Sequence, residues 1–435
     1  MKNMKKLACM LAIFGLSLSA QAQDGYEPAP ENLKARQEFQ DKKFGIFLHW
    51  GIYSLFGQGE WYMQNDNIDR KEYEKAADAF YPHRFDAAAW VSAIKAAGAG
   101  YITITTRHHD GFSMWDTKQS DYNIVKATPY GKDVIKQLAD ECHKQGIRLH
   151  LYYSHVDWYR EDYPWGRTGL NVGKDKSKVN WKSYYNFMNS QLTELLTNYG
   201  EIGAIWFDGF WDHDSDPTPF DWELGNQYAL IHKLQPGCLV GNNHHENVIP
   251  GEDIQIFERD LPGENTTGWV KGGVSKLPLE TCETMNGMWG YKVNDQRYKS
   301  VEELIALLVK TSGKGANLLM NIGPQPNGEL PATALDRLKR MGEWLQQYGE
   351  SIYGTTAGHL PVQEWGATTQ KGNTEYIHIL NYKESEFTLP MDRKIKTVKE
   401  FIGGQALKFK RNKDNSLVIQ LNPHQGVVDY VLEIQ

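Results

Sequence analysis

Cysteine is scarce, with four in 435 residues. Cys9 sits in the N-terminal apolar stretch, which leaves Cys142, Cys238 and Cys282, an odd set without framework spacing. That excludes a disulfide-stapled scaffold, and the three read as buried thiols. Excess basic charge is missing too: 47 Lys and Arg stand against 54 Asp and Glu, interspersed along the chain for a net charge of -7. Such a chain has no basic stripe for gripping a nucleic acid. No apolar run is long enough to span a bilayer. There is no G-x-G-x-x-G phosphate loop, no internal repeat and no low-complexity tract, so no cofactor fingerprint and no solenoid is read.

What the N-terminus does have is Met1-Lys2-Asn3-Met4-Lys5-Lys6, an apolar stretch over 7–20, and Ala20-Gln21-Ala22 before Gln23. A basic start, a short apolar segment and small residues at the cut describe a secretory signal peptide over 1–22. The expected mature chain is exported, periplasmic or secreted, and long enough for one large domain and a smaller one.

Aromatic side chains are abundant: 14 Trp, 23 Tyr and 16 Phe, 12% of the chain. Many must pack the core. Others flank polar residues, as in His49-Trp50, Glu60-Trp61-Tyr62 and Met288-Trp289-Gly290-Tyr291. A sugar, with apolar C–H faces and hydroxyl edges, matches such pairs.

From 23 to 353, strand-like runs at 44–49, 101–106, 148–153, 204–208, 239–242, 254–257, 279–281 and 317–322 alternate with amphipathic stretches at 86–97, 132–145, 182–199, 226–234 and 300–310. Gly98, Gly146, Gly200 and Gly313 follow helical stretches as C-caps. Alternation of this kind implies a parallel sheet, and eight strands without a phosphate loop favour a (β/α)8-like barrel. No helix is evident between the sixth and seventh strands, so the barrel is expected to be irregular there. A helix over 331–348 closes it. From 354 to 435 only strand-like runs remain (375–380, 386–389, 396–401, 406–409, 416–420, 426–434), the pattern of a small C-terminal all-β sandwich. That tail is expected to pack on the closing helix around Trp344 and Tyr348.

Catalytic groups of such barrels gather at the C-terminal ends of the strands. The run Gly203-Ala204-Ile205 ends in Trp206-Phe207-Asp208-Gly209, and an Asp closing a buried strand is costly unless it has work or caps a helix. Other strand ends carry His49-Trp50-Gly51, Arg107-His108-His109-Asp110, Ser154-His155-Val156-Asp157-Trp158, Asn242-Asn243-His244-His245, Glu258-Arg259-Asp260 and Glu280-Thr281-Cys282-Glu283. Polar and aromatic groups at so many strand ends are not packing alone.

Two chemistries fit. A metal-dependent hydrolase would use imidazole and carboxylate ligands. Yet His49 has no H-x-H partner, the last strand ends in Asn321-Ile322-Gly323, and adjacent His108 and His109 point apart on an extended chain. Glycoside hydrolysis by two carboxylates needs neither metal nor cofactor, with histidines and aromatics holding the sugar. A sugar-binding protein on an inactive barrel would keep the same shell but would be free to lose Asp208.

The run Lys43-Phe44-Gly45-Ile46-Phe47-Leu48-His49-Trp50-Gly51-Ile52-Tyr53-Ser54, with Glu60-Trp61-Tyr62, His108-His109-Asp110-Gly111-Phe112, Trp206-Phe207-Asp208-Gly209 and Asn317-Leu318-Leu319-Met320-Asn321-Ile322-Gly323-Pro324, resembles glycoside hydrolase family 29, the α-L-fucosidases, in order and spacing from about Phe44 to Gly328. The exported context is similar to that of Bacteroidetes-type glycan degraders. The resemblance implies a retaining exo-enzyme that removes terminal α-L-fucose from fucosylated oligosaccharides or glycoconjugates without a cofactor. Asp208 matches the family's nucleophile. His49, Glu60, Trp61, His108, His109 and Trp206 match positions that bind fucose. The family places its acid/base in a variable segment after strand five or six. Glu258 is the choice by position, with Glu280 and Glu283 as competitors and Glu252 a remote one.

Overall fold

A computed structural model describes residues 25–380, 382, 385–423 and 427–435. The segment 1–22 expected to be a signal peptide, and Gly426, the first residue of the last tail candidate, lie outside the described residues. Eight parallel strands appear where hydrophobic runs predict them: β1 Phe44–Leu48, β2 Tyr101–Arg107, β3 Arg148–Ser154, β4 Ala204–Asp208, β5 Leu239–Asn242, β6 Gln255–Glu258, β7 Leu279–Thr284 and β8 Asn317–Ile322. Their order in the sheet is β5-β4-β3-β2-β1-β8-β7-β6. The seam between β5 and β6 closes through a parallel bridge, Gly241 to Ile254, with Ile254 N–H donating to Val240 O at 3.1 Å. The eight strands thus form a (β/α)8-like barrel.

The strands are buried on both faces because helices wrap them. Ile46, Leu48, Ile102, Ile104, Leu149 and Leu151 pack outward against helices such as Ala87–Ala96 and Val134–Gln145. Phe47, Tyr101, Tyr152, Trp206, Ile256, Cys282 and Leu319 fill the interior. No helix lies between β6 and β7, as expected, nor between β5 and β6. Cys142, Cys238 and Cys282 are free and buried. Among the described residues no helix is long and apolar enough to cross a membrane.

Gly146 caps its helix in the left-handed conformation, whereas Gly313 falls inside the helix Val301–Gly313 and the left-handed residue beyond it is Gly315. Gly313 is needed for another reason. A Cβ there would stand 2.5 Å from Ala367 Cβ, so the helix can approach the tail only without a side chain.

Past the helix Ala332–Tyr348 the chain is antiparallel. Strands β9 Thr356–Ala357, β10 Gly366–Lys371, β11 Thr374–Ile379, β13 Val398–Glu400 and β16 Tyr430–Ile434 form one sheet, and β12 Glu386–Leu389, β14 Phe409–Arg411 and β15 Leu417–Gln420 another. Ile377, Ile379, Leu389, Leu417, Ile419 and Leu432 fill the space between. The sequence pattern missed β9 and β10, and placed at 406–409 the strand that runs over Phe409–Arg411. Strand β10 reads as a loop because it is Gly-Ala-Thr-Thr, yet it is buried. Its hydroxyls are paired instead: Thr368 Oγ1 with Leu360, and Thr369 Oγ1 donating to Ser351 O at 2.6 Å. The tail's seat also differs from expectation. Tyr348 does stack on Phe401, with ring centroids 6.0 Å apart, but Gly313 of the preceding helix meets Ala367 and Val362 directly.

Candidate active site

A cavity of about 900 Å³ opens at the C-terminal mouth of the barrel, lined by Phe47, His49, Glu60, Trp61, His108, His109, Tyr152, Trp206, Asp208, Asn243 and Glu258 among others. All of the sequence-predicted sugar-binding positions, together with Asp208 and Glu258, face this one space.

Asp208 ends β4, where Gly209 turns with φ +105°. A side chain at Gly209 would press on Val156 within 2.7 Å, so the turn requires glycine twice over. The Asp208 carboxylate is held from four sides. Tyr152 Oη donates to Oδ2 at 2.9 Å, while Gly209 N at 2.8 Å and Trp211 Nε1 at 2.9 Å donate to Oδ1. Asn243 Nδ2 adds a longer contact to Oδ1 at 3.5 Å. Burial pushes the carboxyl above its ordinary pKa, and the hydrogen bonds pull it back.

Glu258 ends β6, and the same Asn243 Nδ2 donates to its Oε2 at 2.8 Å. One amide nitrogen therefore touches both carboxylates. Oδ1 of Asp208 and Oε2 of Glu258 can lie no further apart than those two contacts laid end to end. Burial, and after it the negative charge of Asp208, lifts Glu258 to about 7.

The competitors lie elsewhere. Glu280 is fully buried beneath the mouth, its Oε2 accepting from Tyr101 Oη at 2.6 Å and its Oε1 from Trp206 Nε1 at 2.9 Å. Burial lifts it to about 7 as well, but it does not line the cavity. Glu283 turns toward Lys299 at 3.5 Å and Arg259 at 3.7 Å. Glu252 is buried against Tyr228, His244 and the Ile249 amide.

The histidines have defined protonation. Asn321 Nδ2 donates to Trp289 O, so its Oδ1 accepts from His49 Nδ1–H at 2.7 Å. Ser154 Oγ donates to Val156 O at 2.7 Å, so it accepts from His109 Nδ1–H at 2.6 Å. In each ring Nε2 keeps its lone pair, and His109 Nε2 lies 3.6 Å from Asp208 Oδ2. Burial drops both to about 3, and drives His108 well below its usual value, so all three are neutral hydrogen-bonding groups. His108 and His109 lie past the end of β2, on a turn closed by Gly111 N–H to His108 O at 3.0 Å, after a bulge between Thr105 and Arg107. Strand alternation therefore does not separate them, and their rings stand 4.2 Å apart.

Glu60 accepts from Gly290 N at 2.7 Å, and Trp61 stacks on Trp211 with centroids 5.5 Å apart. Trp206 stacks on Tyr152 at 5.5 Å. Tyr152, Trp211, Asn243 and His245 carry no assignment from sequence. Asn243 stands in the polar run after β5, but Tyr152 is indistinguishable from its apolar strand neighbours. Among the described residues no three His, Cys, Asp or Glu come together as a metal cluster.

A barrel whose mouth holds two carboxylates beside neutral imidazoles and indoles is that of a glycoside hydrolase. A sequence profile described as alpha-L-fucosidase matches residues 14–350. The human plasma alpha-L-fucosidase is 30% identical over 365 residues, 76% of this chain and 72% of its own. The solved alpha-L-fucosidase isoenzyme 1 from Paenibacillus thiaminolyticus is 32% identical with a TM-score of 0.82, covering 93% of this chain and 99% of its own. The Thermotoga maritima alpha-fucosidase, solved with a mechanism-based inhibitor, is 28% identical with a TM-score of 0.76, covering 94% and 99%. The chain belongs to the alpha-L-fucosidase family, glycoside hydrolase family 29.

Proposed function

We propose that this enzyme releases terminal α-L-fucose from fucosylated oligosaccharides or glycoconjugates with retention, using Asp208 as nucleophile and Glu258 as acid/base. The observation that carries the reading is Asn243, whose one amide nitrogen bridges the two carboxylates. Asp208 attacks the anomeric carbon while Glu258 gives its proton to the departing glycosidic oxygen. A fucosyl ester on Asp208 results. Glu258, now ionised, takes a proton from water, whose oxygen attacks the same carbon and frees Asp208. The charge of Asp208 supports the change of role. While it is ionised it helps keep the proton on Glu258; once it is esterified that charge is gone and Glu258 ionises more readily.

His49 and His109, with free Nε2 lone pairs, accept hydrogen bonds from fucose hydroxyls. Glu60 and His108 supply further polar contacts, and Trp61 and Trp206 supply ring faces for C–H groups. The pattern over 1–22 supports export to the periplasm or the exterior, where such glycans are met. A panel of purified fucosylated glycans, read by free fucose, tests the assignment. Fucose released as the α-anomer before mutarotation supports it. No release from any glycan or from α-L-fucosyl fluoride would leave a fucose-binding protein instead, and loss of activity to a chelator would restore the metal-dependent alternative.

A further inference from the structure

The cavity has a closed floor and a built rim, and the rim has chemistry of its own. Of the aromatic residues lining it, Trp269 alone is largely exposed, at 45%. An indole left in water forfeits hydrophobic stabilisation, so its loop would be expected to fold over it unless something holds the loop open.

The loop between β6 and β7 is held. Asp260, just beyond Glu258, is buried and accepts from Thr266 N at 2.8 Å, Thr266 Oγ1 at 2.5 Å, Thr267 N at 3.3 Å and Thr267 Oγ1 at 2.6 Å. Asn265 and Val270 close its neck with two reciprocal hydrogen bonds of 3.0 Å. Lys271 N and Gly272 N then donate to His245 O at 2.8 and 3.0 Å, tying the far end to the loop after β5. The ring of His245 lies between two partners: its Nε2 is 3.8 Å from Glu258 Oε2, and its centroid is 5.8 Å from that of Trp269. The exposed indole thus stands one ring away from the acid.

We infer that Trp269 is the platform of an aglycone subsite, on whose face stacks the pyranose ring to which fucose is attached. The inference rests on Glu258 being the acid/base. A leaving oxygen protonated by Glu258 must start there, and the sugar it belongs to leaves through the mouth, since Phe47, Tyr152 and Trp206 block the floor. The charged groups beside Trp269 are paired among themselves, Lys271 with Glu246 at 2.9 Å and with Asp214 at 3.4 Å, so the subsite selects a neutral sugar with an open C–H face over an acidic one. Because the loop is already ordered, little freedom is lost when the sugar docks.

The test compares two substrates for wild type, Trp269→Ala and Trp269→Phe. The first is α-L-fucosyl fluoride, whose leaving group reaches no rim; the second is whichever fucosylated oligosaccharide the wild type cleaves best. Trp269→Ala is expected to lower kcat/KM on the oligosaccharide by about tenfold and to leave the fluoride within about twofold, with Trp269→Phe restoring most of the loss. An equal fall on both substrates, or no fall on the oligosaccharide, overturns the subsite. So does a wild type that hydrolyses the fluoride but no fucosylated oligosaccharide of neutral sugars. A wild type that turns over neither substrate speaks against the hydrolytic reading itself, a different outcome.

Discussion

Asp208 has three donors within 2.9 Å and no cation in contact, so its charge is stabilised by dipoles aimed before the sugar arrives. Asp208→Ala should lower kcat by at least about a thousandfold with the thermal transition retained, since no neighbouring group can form the ester. Added azide should restore part of the turnover on an activated aryl fucoside; an alanine variant retaining more than a few per cent of wild-type activity would reassign the nucleophile. Glu258 gives a second prediction, in pH. Its carboxyl is raised to about 7, and as the proposed general acid it would work protonated, so kcat/KM should fall as pH rises through about 7. The acid limb would belong to Asp208, which as the proposed nucleophile must be ionised and whose pKa burial also raises. The two are coupled, so the limbs report the pair. In Glu258→Gln the alkaline limb should vanish from the residual activity on an aryl α-L-fucoside, whose oxygen leaving group the acid would protonate; a limb that persists there would place the acid elsewhere. Asp208 stands out in sequence because an acid closing an apolar strand either caps a helix or has work, and the structure places it at the cavity. Tyr152 and Asn243, which hold it, were not, because a Tyr inside a strand and an Asn in a polar loop look alike whether or not they meet a carboxylate.

At the level of strands and loops, the alternation of strand-like runs with amphipathic stretches located all eight barrel strands, most plainly β1, β4 and β8, whose apolar runs are buried on both faces. It could not locate β10, whose buried threonines gain their place through hydroxyl hydrogen bonds that depend on distant partners. Glu280 on β7 was legible as a strand-end acid yet misplaced by that reading. It points into the barrel and fixes Tyr101 and Trp206, which form the layer under the sugar. This yields a prediction in stability. Burial raises the Glu280 carboxyl to about 7 in the folded chain, above its value of about 4.3 when unfolded. The folded state therefore binds this proton more tightly: the stabilisation is complete below about pH 4.3 and is lost as pH climbs through about 7. Glu280→Gln, neutral throughout, should flatten the fall in Tm between pH 5 and 8 measured by calorimetry. A variant whose Tm falls as steeply as the wild type's over that range would show that Glu280 does not titrate there.

For the whole molecule, the question is what the tail is for. We propose a boundary near 353/354, with the barrel before it and the β-sandwich after it. The joint is polar as well as apolar: Ser351 O accepts from Thr369, and buried His378 pairs with Asp429 at 2.7 Å directly behind it. Beside that, Gly313 lets the helix before β8 lie against Ala367 and Val362. No described residue of the tail lines the cavity, and its described contacts are with the barrel's flank, which it covers. Removing residues 354–435 would bare that flank, including the apolar face of the helix Val301–Gly313 that meets Ala367 and Val362. The truncated chain should aggregate, read by light scattering. A subtler variant separates cover from catalysis. Gly313→Val would place a branched side chain where even a Cβ meets Ala367 at 2.5 Å, forcing helix and sheet apart. Its Tm should drop by several degrees while kcat on α-L-fucosyl fluoride at 25 °C stays within about twofold, because helix, strand β8 and cavity lie on the near side of the joint. If instead the truncated chain stays monomeric and fully active, and Gly313→Val melts like the wild type, the tail is an independent module that only rests against the barrel.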